Sequence, residues 1–285
     1  MTNADKLRLR RGRNEAIYHI VAIALGVVML YPLLWMIMSS FKPESEIFGS
    51  LSLMPREFTL QNYVRGWAFN NFISFSTFYW NSFVITSIST VGAVLMSSLA
   101  AFGFTRVMFR GRGFWYSCMF LTLMLPFQVI MVPQYIMFHR MGWVNTYLPL
   151  IIPQWGGQAF FIFMMSQFYR GIPLELDESA MLDGCNKFTI YRRILFPLIT
   201  PALMTATIFS FYWRWEDFLG PLLYIGGRQR LWTVALGVRA FQDTMGTDWG
   251  SIFAMGSLSI LPSLIVFFVF QKYIVEGIAT TGLKS

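Results

Sequence analysis

Residues Ala16–Phe41 read AIYHIVAIALGVVMLYPLLWMIMSSF, twenty-six consecutive positions without a charge. An α-helix rises about 1.5 Å per residue, so about 20 residues cross the roughly 30 Å hydrocarbon core of a bilayer. This run is long enough to span. A cleaved leader has an apolar stretch of only about 7–15 residues ending in small side chains. Here the run ends instead in Phe41-Lys42-Pro43-Glu44, so a retained helix is expected.

Further uncharged stretches follow at Gly66–Thr105, Gly113–His139, Met141–Tyr169, Ile194–Trp213 and Trp249–Gln271. The second begins with polar residues (Asn70, Asn71, Ser74, Ser76, Thr77), which places its span at about Trp80–Phe104. The fifth must run on to about Tyr224 to finish before Gly226-Gly227, which draws Arg214, Glu216 and Asp217 into the membrane. No ten-residue alternation marks a closed barrel. The expectation is an all-α membrane protein with six transmembrane helices. Composition agrees: of 285 residues 55% are hydrophobic and 13% charged, against about 25% charged in soluble domains.

The net charge of +8 suggests nucleic acid only until the charges are located. With the N-terminus inside, eight of the 22 basic residues fall on or near the outer side: Lys42, Arg56, Arg65, Arg140, Arg214, Arg228, Arg230 and Arg239. The rest are cytoplasmic, and the 14 acidic residues divide evenly. The positive-inside rule therefore puts both termini in the cytoplasm, and topology with anionic lipid accounts for the basic surplus. No nucleic-acid partner is expected. Five regions follow: a basic N-terminus (1–15), a first transmembrane helix (16–41), an outer loop with an interfacial segment (42–79), a core (75–271) and a cytoplasmic tail (272–285). The link between the third and fourth spans (His139–Gly142) reads as very short.

Chemistry of its own is scarce. His19 and His139 have no carboxylate at ligand spacing, so no metal site is expected. Cys118 falls in a span and Cys185 in reducing cytosol, so no disulfide is expected. With only five lysines, the absence of G-x-x-x-x-G-K-[ST] is readily checked. Half-chain repeats typical of secondary transporters, a charged filter ring and a nucleophile–base pair are not evident.

The one long cytoplasmic loop, 170–197, contains IPLELDESAMLDGCNKFTIYRRILFP from Ile172 to Pro197. Pro173 suits a first helical turn, Glu175, Asp177 and Glu178 suit the positive end of a helix, and Gly184 suits a left-handed stop. A basic helical stretch, Lys187–Arg193, follows. The reading is helix, turn and helix beneath the bilayer.

Within this loop Glu178-Ser179-Ala180, three residues, Gly184, nine residues, Ile194, one residue and Phe196-Pro197 is similar to the E-A-A-x3-G-x9-I-x-L-P pattern of ABC-importer permeases. Ser179 stands for the first Ala and Phe196 for the Leu. Asn81-Ser82-Phe83, Ser97-Ser98-Leu99-Ala100-Ala101-Phe102, Met124-Leu-Pro126, Pro133-x-Tyr135, Asp217-Phe-Leu-Gly-Pro221 and Gln271-Lys-Tyr-x-Val-Glu-Gly277 also resemble the carbohydrate-uptake branch. The resemblance implies a type I importer permease fold in a bacterial or archaeal cytoplasmic membrane. It implies a homologous second permease, two ATPase subunits that hold ATP and magnesium, and an extracytoplasmic solute-binding protein. The cargo it implies is a sugar or oligosaccharide, with glycerol phosphate or another polyol-type solute as alternative and a secondary transporter as a weaker one. Glu178, Ser179, Ala180, Asp183 and Gly184 are then expected to dock the ATPase, and the tail to touch it. This chain is not expected to be an enzyme or to carry a cofactor.

Charged groups facing lipid at the membrane centre cost about 2.5–3.5 kcal/mol each on insertion scales. Arg214 and Asp217, three apart on one helix, are candidates to pair, and Glu216 is left over. Aromatic faces suit sugar rings and carboxylates accept from hydroxyls. Trp213, Trp215, Glu216 and Asp217 are therefore expected on or beside the solute path.

Overall fold

The computed structural model describes residues 3–50, 52–70, 72–243 and 246–282, without the side chains of 3–14, 16, 243 and 274–282. In chain order its main helices are α1 (Asn3–Ser39), α2 (Gln61–Ala68), α3 (Phe75–Arg106), α4 (Arg112–Leu123), α5 (Phe127–Arg140), α6 (Ala159–Gly171), α7 (Glu175–Leu182), α8 (Lys187–Leu198), α9 (Thr200–Trp215), α10 (Leu219–Ile225) and α11 (Trp249–Gly282). Among the described residues the strands are β1 (Gln242–Asp243) and β2 (Gly246–Thr247), paired antiparallel. Helices dominate for the reason the composition gives: in lipid, backbone N–H and C=O groups must be satisfied within the chain.

Four helical stretches are long and apolar enough to cross a membrane: Ile17–Ser39, Phe75–Arg106, Leu148–Gly171 and Trp249–Tyr273. Six spans result only if two broken pairs each count as one. The stretch expected as one helix at Gly113–His139 is α4 and α5, bent by 100°. Pro126 lacks an N–H and disfavours the helical conformation at Leu125. The fourth stretch begins at Leu148, not near Met141, so its link to α5 is longer than the sequence suggested.

The fifth expected span is corrected most. α8 and α9 meet at 76° around Ile199, between Pro197 and Pro201. α9 then stops at Trp215, leaving Glu216, Asp217 and Phe218 outside any helix. Pro221 has no N–H for the Asp217 carbonyl, and the Asp217 carboxylate takes the Gly220 N–H at 3.1 Å. A continuous helix to Tyr224 is therefore broken from both sides.

The chain divides into two compact units: Met1–Phe69 with Phe241–Leu258, and Asn70–Ala240 with Ser259–Ser285. In the first, buried Asn62 ties the segment after α1 to α2, donating to the Ser40 and Lys42 carbonyls at 2.9 and 2.8 Å. Lys42, fully buried, donates through Nζ to the Ser52 carbonyl at 2.5 Å. Gly250 allows Asn62 its place, since a Cβ there would overlap the amide.

In the second unit α3 is the central post, and Asn81, Ser82, Ser89, Ser97 and Ser98 on its buried face are met by neighbouring segments, whereas the Thr86 and Thr90 hydroxyls are not. Asn81 donates to the carbonyls of Arg230 (2.8 Å) and Trp232 (3.0 Å), and Ser82 accepts from the Val234 N–H (2.8 Å). Ser89 donates to the Leu150 carbonyl (3.2 Å), and Ser97 accepts from the Gln158 N–H (2.9 Å). Ser98 meets the Tyr169 hydroxyl at 3.1 Å and accepts from Tyr191 at 3.3 Å. Lipid offers no hydrophobic drive between helices, so small polar residues that allow close approach and bond across it hold such bundles together. Gly92 serves the same end, because a Cβ there would run into the Trp155 indole.

Candidate functional site

The loop singled out by its spacing folds as helix, turn and helix. α7 carries Glu175, Asp177 and Glu178 in its first turn, where the helix dipole favours them. It ends in a Schellman turn: Gly184 takes φ +83°, its N–H donates to Met181 O (3.0 Å), and the Cys185 N–H donates to Ala180 O (2.9 Å). Asn186 then caps α8, accepting from the Thr189 N–H at 2.8 Å.

This loop is no loose connector. Ala180, Ile190, Tyr191 and Leu195 share one hydrophobic core with Phe102 of α3, Phe161 and Met165 of α6, and Ala202 and Ala206 of α9. Below α7 lies Arg106, whose side chain is 3% exposed. Its Nη2 donates to the Tyr169 and Ile172 carbonyls, both at 2.6 Å, and its Nη1 stands 3.6 Å from Asp177 Oδ2. Arg106 Nε and Asp177 Oδ1 have no hydrogen-bond partner. One guanidinium thus joins the ends of α3 and α6 to α7. Neither Arg106 nor Asp177 was legible as a partner, since they lie 71 positions apart and each has a local reading as a loop or first-turn charge.

The five residues expected to dock an ATPase separate by direction. Ala180 is buried in the chain's own core, where it seats α7. Glu178, Ser179, Asp183 and Gly184 are exposed, and beside them Leu182 is 90% exposed with Leu174 and Met181 also bare. The outer face of α7 is therefore apolar with acidic flanks, on a rigid seat.

The four path residues separate too. Trp215 is buried, stacked on Phe211, and donates through Nε1 to the Ser259 carbonyl at 2.8 Å. Trp213 is partly exposed and stacks on Phe161 with centroids 5.4 Å apart. Glu216 is exposed, its N–H donating to the Tyr212 carbonyl. Asp217 alone of the four lines a cavity of about 210 Å³, together with Phe127, Ile130 and Gln134 of α5, Pro149, Leu150, Pro153, Gln154, Arg214, Gly220 and Tyr224. Arg214 and Asp217 form no ion pair, in contrast to the sequence expectation, because the helix that was to hold them in register ends between them. Arg214 Nε is buried without a partner. Gly220 makes room for the carboxylate: a Cβ there would crowd Asp217 and lie 3.3 Å from Leu150. Gln134, Gln154 and Tyr224 were not singled out by sequence reasoning as neighbours of Arg214 and Asp217, because separate segments bring them together.

No group of three or more His, Cys, Asp or Glu side chains suited to a metal occurs among the described residues. Of the tail residues expected to touch an ATPase, Lys272 and Tyr273 have described side chains, 274–282 continue α11 without them, and residues 283–285 lie outside the described residues.

A multi-pass helical membrane protein with a core-anchored cytoplasmic-type loop is the class that these features define. The chain belongs to the family described as binding-protein-dependent transport system inner membrane component, whose model matches residues 93–280. It is similar to the multiple sugar-binding transport system permease protein of Streptococcus mutans, 33% identical over 91% of this chain and 93% of that one. It is likewise similar to the trehalose/maltose transport system permease protein of Thermococcus litoralis, 33% identical over 93% and 95%. In fold it matches a chain from a bacterial ABC transporter involved in import of the acidic polysaccharide alginate, with TM-score 0.80 and 18% identity over 96% and 99%. It is therefore an ABC-transporter permease with sugar-permease relatives, a membrane transport component.

Proposed function

We propose that the chain is one of two homologous permeases of an ATP-driven importer in a bacterial or archaeal cytoplasmic membrane, and that its cargo is a sugar or oligosaccharide. Two ATPase subunits dock from the cytoplasm, where both termini lie, and they hold ATP and magnesium. A solute-binding protein delivers cargo on the opposite side, and the chain crosses the membrane six times, with α4–α5 and α8–α9 each counted as one broken span. The observation that carries this reading is the exposed face of α7: Leu182 stands bare beside Glu178 and Asp183 on a helix bolted to the core. An apolar patch rimmed by charge marks a protein interface, and Glu178 is suited to basic groups of the ATPase cleft.

The test is co-purification from native membrane of a second permease and an ATPase, repeated with Glu178→Lys and Leu182→Glu. Both variants should insert normally, lose the ATPase and abolish uptake. Normal ATPase recovery and uptake in both would overturn the docking assignment. A lone chain transporting without ATP would overturn the whole reading.

A further inference from the structure

We propose that the cavity at the end of α9 is a subsite of this chain for one uncharged sugar ring, with a ring hydroxyl bridging Arg214 and Asp217. This rests on the reading of the chain as a sugar-importer permease. The two charged groups line the same cavity and form no ion pair, and the Asp217 carboxylate is met by the backbone N–H of Gly220 rather than by the guanidinium. Arg214 Nε is a buried donor with no acceptor, and leaving such a group unpaired is costly. A hydroxyl accepts from a guanidinium and donates to a carboxylate in the same position. It completes a pair that the protein leaves open.

The remaining polar groups are of the same kind. Gln134 Oε1 accepts from the Tyr224 hydroxyl (3.0 Å) and Gln154 Oε1 accepts from Gln158 Nε2 (2.7 Å). Neither bond uses the NH2 donors of Gln134 or Gln154. Pro149, Leu150 and Ile130 supply apolar walls for the C–H faces of a ring. At about 210 Å³ the space is below the roughly 300–1,000 Å³ of pockets for drug-sized ligands, so it fits one ring and not a whole oligosaccharide. Charge decides the class. What a phosphate would gain at Arg214 it would lose against the Asp217 carboxylate, whereas a neutral polyol uses both.

The experiment uses the whole transporter in lipid vesicles. Ile130→Cys is placed on the cavity wall in a Cys118→Ser, Cys185→Ser background and labelled with 2-aminoethyl methanethiosulfonate. Millimolar maltose, arabinotriose, diacetylchitobiose, glycerol 3-phosphate and inorganic phosphate are the probes, each tested for uptake and for protection, in ATP-free and vanadate-arrested states. A sugar that is imported should slow labelling about tenfold or more in at least one state, the scale of one hydrogen bond to a charged group; both phosphates should not. Asp217→Asn and Arg214→Gln should abolish protection with the complex still assembled, and Arg214→Lys should restore part of it. Stronger protection by phosphate, or an imported sugar that never protects, overturns the subsite and leaves sugar import standing. Import of glycerol 3-phosphate and of none of the sugars overturns the sugar reading itself.

Discussion

Two arginine–aspartate couples sit in this chain, and they are used in opposite ways. At α7 Arg106 faces Asp177 across 3.6 Å and donates through Nη2 to two carbonyls at the end of α6. At the end of α9 Arg214 and Asp217 share a cavity wall and never meet. The first couple is a fastener, since its partners are all protein and all fixed. The second keeps its valences for something that comes and goes. Identical residue types thus carry structure in one place and recognition in the other, and what separates them is only whether the backbone brings the charges into contact.

The comparison breaks first at the fastener. Arg106→Leu leaves the Asp177 carboxylate buried and uncompensated and orphans two carbonyls, which should cost about 3–5 kcal/mol. Thermal unfolding of the solubilised complex, and the yield of membrane-inserted chain, should both fall sharply. A variant as stable as the parent would mean that Arg106 fastens nothing.

A smaller loss is expected along the post that both couples flank. Asn81→Leu removes the donor to the Arg230 and Trp232 carbonyls, at about 1–3 kcal/mol. The melting temperature should drop while the ATPase remains bound, because α7 is untouched; release of the ATPase would contradict the division of labour. Asn186→Ala should cost about 1 kcal/mol through loss of the α8 cap. Proteolysis within 184–190 should quicken before any global melting is seen.

Least of all is expected from the open couple. Replacing both Arg214 and Asp217 by Leu should shift stability by less than about 1 kcal/mol, since no ion pair is broken and the relief of two desolvated charges offsets the lost bond to the Gly220 N–H. Uptake should nevertheless be lost. A large fall in stability would make the couple a second fastener.

How much of this was legible varies with distance along the chain. The Schellman turn at Gly184 was, because φ +83° is a local demand that glycine meets and because acidic residues at one end and glycine at the other lie within ten positions. The helical membrane class was legible from uncharged length alone. The bends were half legible: Pro126, Pro197, Pro201 and Pro221 are visible, but the residues before and after them are apolar enough to read as continuous spans. The polar residues of α3 were seen only as matches to a family, and their backbone partners on segments 61–152 positions away, carbonyls for some and N–H groups for others, give the physical reason for them.

The sequence by itself determined that the chain is helical and membrane-bound, where its charges are excluded, and that the 170–197 loop turns once at Gly184, since these follow from solvation and local backbone sterics. Tertiary structure alone decided that Ala180 faces inward while Leu182 faces out, that Arg106 reaches Asp177, and that Arg214 and Asp217 stay apart around a cavity. Each of these depends on where separate helices cross, and a crossing is set by the summed packing of side chains distant in the chain, which no local pattern encodes.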